Sequence, residues 1–274
     1  MKSNAPKYEL TDETRKVGIH VLHRIRALCS IKWNYVMKGD LGGFVESDFN
    51  LSHDGDCWIA GNAMVYESAT VCKNARVAGS ATVHGHARVT DNARVLGHGK
   101  VYGRAYVGNC ALVSDWAKVY GSVYICGDTC VRDNAAVCGN ATLTDHAAVC
   151  NDSVVSGDSI LFQHVQAIDQ SRIGGNASVG GNGVISGDAV VEEALDYLEF
   201  PFAPGDPTRH DKLAYTRSNG MWYHPMLAKA VPNLMATAKS ERERRYYADL
   251  LNIVGRIENK GTRKTGRGKQ LPLK

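Results

Sequence analysis

The residues whose types and spacing could do chemistry fall into two sets, and both recur at intervals of eighteen. The first is a histidine pair, His146 and His164, with Asp128 eighteen residues before His146. An imidazole titrates near neutral pH, so either histidine has the proton affinity of a general base for a hydroxyl or amine acceptor. Read with His84, His86 and His98, the same pair also fits turn residues on a solvated corner, which need no chemistry. The second set interleaves cations with aromatic rings: Lys100 and Tyr102, then Lys118 and Tyr120; Arg88, Tyr106 and Tyr124; Arg76 and Arg94. Such a surface suits an anionic partner with flat groups, whether a nucleotide, coenzyme A, single-stranded nucleic acid or an acidic protein surface. Its structural counterpart is a tyrosine ladder that stabilises a β-surface, with lysines keeping it soluble.

Other chemistries find little support. The eight cysteines follow no paired or CxxC spacing, and Cys72, Cys126, Cys138 and Cys150 share one repeat position, so they read as small side chains in a reducing compartment and not as metal ligands. Gly42 and Gly43 follow Leu41 without the Lys-Ser/Thr or GxGxxG context of a phosphate cradle, and read as a tight turn.

The interval of eighteen comes from the element that must position these residues. From Ile59 to Val190 one six-residue phrase repeats twenty-two times without an insertion, beginning Ile59-Ala-Gly-Asn-Ala-Met, Val65-Tyr-Glu-Ser-Ala-Thr, Val71-Cys-Lys-Asn-Ala-Arg. The first place is aliphatic except at Ala167; the fifth is small in nearly all, with Val123 and Val165 as exceptions; the third and fourth are mostly turn formers. An aliphatic residue to fill an interior and a small residue at each corner are what a three-sided β-solenoid needs. Three hexads close one coil, so residues eighteen apart stack in neighbouring coils. At about 4.8 Å per coil the phrase makes about seven coils, a rod on the order of 35 Å. The sixth and second places flank the buried aliphatic and point outward. Val154, Ile160, Phe162, Ile168, Val184 and Val190 at such places are too apolar for a free surface, and predict a cover from the C-terminal segment or a neighbouring subunit.

The pattern resembles the hexapeptide-repeat proteins, whose coils wind left-handed. Lys7-Tyr-Glu-Leu-Thr, His23-Arg-Ile-Arg-Ala-Leu, Gly39-Asp-Leu-Gly-Gly-Phe-Val-Glu-Ser and Asn50-Leu-Ser-His-Asp-Gly-Asp further resemble the cap of phage- and prophage-encoded members, a group commonly labelled acyltransferases. The resemblance implies a left-handed parallel β-helix, a homo-oligomer with trimers favoured, and, in the enzymes of the class, a histidine base beside acyl-coenzyme A between subunits. Those enzymes usually extend a loop from one coil, and here no hexad is interrupted.

Outside the repeat, residues 1–58 read as an N-terminal β cap with strands at 7–11 and 19–28, the second placing Ile19, Val21, His23, Ile25 and Ala27 on one side. The repeat proper occupies 59–191. Residues 192–258 read as a loop and small helical segment, with a capping box at Ser240–Glu243 and an apolar stripe at Tyr247, Leu250, Leu251, Val254 and Ile257; 259–274 read as a basic disordered tail. Charge is polarised along the repeat: seven basic and three acidic residues over 59–122, two basic and seven acidic over 123–190. With no apolar signal core or spanning run, the expected setting is cytoplasmic, without a membrane.

Together these features predict an all-β solenoid that acts as a non-catalytic binding or scaffold protein, engaging a partner through its charged-aromatic faces and its C-terminal segment, with no cofactor. One alternative is an acyltransferase using coenzyme A with His146 or His164 as base. The other is nucleic-acid binding through the tail Lys260–Lys274.

Overall fold

In the computed structural model, the described residues are 6–192 together with three short strands at 195–198, 216–218 and 221–223. The chain divides into two compact units, Met1–Phe202 and Ala203–Lys274. In the second, Thr216–Ser218 pairs antiparallel with Met221–Tyr223. The helical stretch, capping box and basic tail expected after residue 224 lie outside the described residues.

The first unit is the predicted parallel solenoid. Nearly every strand of the repeat has two residues, the sixth place of one hexad and the first of the next, as in Arg76–Val77, Thr82–Val83 and Arg88–Val89; Ser178–Gly181 has four. Every third strand joins the same sheet in register, so three sheets of parallel repeat strands run along the coils, two of them eight strands deep and the third extended to eleven by three strands of the cap. Val83 pairs with Val101, and Val101 with Val119. These first-place side chains and the fifth-place alanines are fully buried, so the core is a stack of aliphatic layers with alanine at the corners. Val123 and Val165 are accommodated at the fifth place without exposure.

The corners explain the third place. Residues there adopt positive φ throughout, from Gly61 and Gly79 to Asp91, Asp115, Asp133 and Asp145. That backbone favours Gly, and tolerates Asn and Asp at a cost of roughly 1 kcal/mol or more for other residues. A carboxylate there gains a compensating bond, because it accepts the third-place N–H of the next coil: Gln163 N donates to Asp145 Oδ2 (2.8 Å), Asn151 N to Asp133 Oδ2 (3.0 Å) and Gly187 N to Asp169 Oδ2 (3.0 Å). Glu67, an unusual residue for this conformation, accepts Gly85 N at 2.6 Å.

In the cap, β1 (Tyr8–Val17), β2 (His20–Ala27) and β3 (Leu41–Val45) extend one of the three sheets; β1–β2 and β2–β3 are antiparallel, and β3 passes parallel onto Met64–Val65. Two expectations need correction. Ile19 and Val21 are exposed, and Leu22 is buried with Ile25 and Ala27, because the β2–β3 register shifts between Arg24 and Arg26 and breaks the simple alternation. Gly42 and Gly43 are not a turn. They lie within β3, where a Cβ on Gly42 would stand 2.5 Å from Ile25 Cγ1 and one on Gly43 2.5 Å from Ala63 O, so close packing excludes any side chain. The turn is at Gly39, with φ of 96°. Lys7 Nζ donates to Cys57 O (3.0 Å) and Tyr8 Oη to Leu51 O (2.8 Å), tying the cap to the first coil.

Candidate functional site

Lys100 and Lys118 occupy the sixth place of consecutive coils and are direct register partners. Both are exposed. Among the described residues neither has a carboxylate partner, so two like charges face each other on adjacent strands, an arrangement that costs stability unless an anion joins them. Two residues on, Tyr102 and Tyr120 stack with ring centroids 5.0 Å apart and planes 4° from parallel.

That pair is the end of a longer ladder. His84 stacks on Tyr102 (5.0 Å) and Tyr66 on His84 (4.9 Å), and His20 from the cap lies tilted against Tyr66. Carboxylates hold its base: Glu46 Oε1 lies 2.9 Å from His20 Nδ1, Glu67 Oε1 3.4 Å from His20 Nε2, and Glu67 Oε2 3.7 Å from His84 Nδ1. The hydrogen bond from His20 holds the Glu46 carboxyl below its ordinary range. Burial in the stack draws His84 down despite the opposing pull of Glu67, and pushes the Tyr102 phenol up. The Tyr120 phenol is also raised, chiefly by its hydrogen bond with Cys138 in the next coil.

Around the corner Arg88, Tyr106 and Tyr124 are successive register partners, as their spacing predicts. Tyr106 and Tyr124 stack at 4.9 Å, and Tyr106 Oη lies 3.5 Å from Asp91 Oδ2. Arg76 and Arg94 are paired on the third sheet but do not act alike. Arg76 Nη1 donates to Asn34 O in the cap (3.1 Å), which leaves Arg94 as the exposed member. His146 and His164 stack at 4.6 Å, and His146 Nε2 lies 3.4 Å from Asp128 Oδ2, so the structure brings together the three residues their spacing groups. The side chains of His146 and Asp128 are both more than half exposed, on an open corner.

Two features escape the sequence reading. His98 and Trp116 stack at 3.9 Å at the corner beside the lysine pair, and Trp116 is 57% exposed. They are eighteen residues apart, so the column rule that groups the tyrosines identifies them too. In the cap, Trp33, Tyr35, Met37 and Leu41 are exposed, and a hollow of about 250 Å³ is lined by Asn34, Tyr35, Leu41, Trp58 and Arg76 among others. That patch depends on the Ile31–Val36 bridge and has no periodic signature.

Stacking also limits what the rings can do. A ring inside a ladder spends both faces on its neighbours and offers a partner only its edge and hydroxyl. A free face remains only where a ladder ends.

No protein-family model matches the chain, and no curated protein matches it. Among the described residues, no helix is long and apolar enough to cross a membrane.

Proposed function

We propose that the chain is a non-catalytic recognition rod, a phage-type member of the hexapeptide-repeat class, that binds an anionic partner across the face carrying Lys100, Lys118, Tyr102 and Tyr120. The observation that carries this reading is the juxtaposition of Lys100 and Lys118, two exposed ammonium groups in direct register and without a carboxylate partner among the described residues, beside a rigid aromatic ladder. A surface built only for solubility would alternate charge along the column, because opposite pairs across strands stabilise and like pairs do not. Arg94 and Arg104 in the same coils add further positive charge, and the acidic coils beyond residue 123 confine the anion to this half. Self-association belongs to the same reading: Ile160 and Val190 leave apolar surface on the late coils.

The test is calorimetric titration of inorganic polyphosphate into the wild-type chain and into Lys100→Glu/Lys118→Glu. The double charge reversal should weaken binding by more than tenfold while the circular dichroism spectrum stays unchanged. Equal affinity in the two proteins would remove this face from the account.

A second reading, an acyltransferase with His146 as base, has the Asp128–His146 pairing in its favour, since a carboxylate beside one ring nitrogen orients an imidazole. It requires coenzyme A. The absence of any thermal shift with millimolar acetyl-coenzyme A would exclude it.

A further inference from the structure

Three aromatic columns end in one coil. Trp116 stacks on His98, Tyr120 on Tyr102 and Tyr124 on Tyr106. The next residues in those columns, eighteen further on, are Asn134, Cys138 and Thr142. Each is shorter than the ring it follows. The coil from Val113 therefore forms a ledge, and the rings along it have one face against an inner neighbour and the other turned toward smaller side chains. Trp116 shows this best: it is 57% exposed although His98 covers one side. Tyr124, at 45%, is the other strongly exposed ring of the ledge.

We infer that this ledge is a stacking site for single-stranded nucleic acid, with a base continuing the His98–Trp116 column and the adjoining phosphate at Lys118 and Lys100. The inference rests on the anion-binding reading above and gives it a ligand class. Trp116 and Lys118 are two residues apart and flank the buried Ala117, so a ring on the indole brings its phosphate to the lysine pair. Tyr120 lies two residues beyond Lys118, which places a second ring roughly 13 Å from Trp116 along the extended chain, with the cation midway. Adjacent bases of an unpaired strand, splayed about their linking phosphate, match that order of ring, cation and ring. A duplex does not, because its bases are already stacked on each other. Above Trp116, Asn134 Nδ2 donates to Asp152 Oδ1 (3.0 Å), which leaves Asn134 Oδ1 as an acceptor for a base N–H. The carboxylates of Asp133 and Asp152 repel phosphate from the far side of the ledge and keep the backbone on the lysine side.

Two probes separate this site from the anion site it depends on: labelled decathymidylate, followed by fluorescence anisotropy, and inorganic polyphosphate, which has charge but no rings. Trp116→Ala should weaken decathymidylate binding about tenfold, the loss expected for one stacked base, and leave polyphosphate binding unchanged. Trp116→Phe, which keeps a ring, should retain most of the affinity and shows that the pocket survives substitution. Lys100→Glu/Lys118→Glu should weaken both ligands. If Trp116→Ala leaves decathymidylate binding unaltered while the lysine reversals weaken both probes, the ledge is overturned and the anion site stands. If the lysine reversals affect neither probe, or neither probe binds, both readings fall.

Discussion

His84 shows how one residue serves two demands. Its ring sits between Tyr66 and Tyr102, where burial disfavours the imidazolium, and Glu67 offsets only part of that cost. Because the folded-state pKa lies below the unfolded one, the folded chain binds fewer protons, and His84's contribution to stability is present above about 6.5 and is lost as pH falls through its folded value. The urea midpoint should therefore drop between pH 7.5 and 5.5, above the range where Glu46 and Asp91, both held low by their hydrogen bonds, take up protons. In His84→Gln that drop should be smaller. An identical drop in the two proteins would mean that the ladder does not disfavour the charged ring. The chemistry-bearing residues were largely legible in the sequence, because a strict interval of eighteen converts spacing into contact, as Tyr102–Tyr120 and His146–His164 show. What spacing could not give was the use of ring faces. That depends on Tyr120 and Trp116 being followed by Cys138 and Asn134, a comparison of sizes along the axis and not of types along the chain.

At the scale of the hexad, each place has one physical task, and the tasks can be tested separately. Asp145 combines a positive φ with a hydrogen bond to Gln163 N. Asp145→Asn keeps both and should be nearly neutral. Asp145→Ala loses the bond and strains the corner, and should cost about 1–2 kcal/mol in urea unfolding. At the fifth place, the Thr129 hydroxyl is buried without a hydrogen-bond partner among the described residues, whereas Ser153 Oγ at the same place donates to Cys150 O (2.6 Å). The Thr129 column already holds Val165, so Thr129→Val should stabilise by about 1 kcal/mol, read as a higher urea midpoint; a lower midpoint would show that the hydroxyl is satisfied in solution. First and fifth places were readable because their side chains are wholly buried and leave little choice of residue. The cap was not. Its strands obey alternation only until the register slips near Arg24, and Gly42 and Gly43 answer to Trp58, Ile59 and Ala63 from the coil that follows, which no local pattern reports.

Over the whole repeat, the division of charge decides where an anion can settle. Seven basic residues against three acidic ones precede residue 123, and two against seven follow it. Three of the aromatic columns stop at the same boundary, with Trp116, Tyr120 and Tyr124 bordering the acidic coils. A rigid solenoid with in-register strands holds these groups at fixed spacing without ordering cost, which favours recognition of an extended, regularly charged partner. The most direct measurement of that claim is the salt dependence of decathymidylate binding in the wild-type chain and in Lys100→Gln/Lys118→Gln. Two phosphate contacts on a single strand give a slope of log K against log salt of about −1.4. The wild type should show at least that slope, and the double variant should be shallower by about that amount. Equal slopes and equal affinities would contradict the assignment of this face as the binding surface.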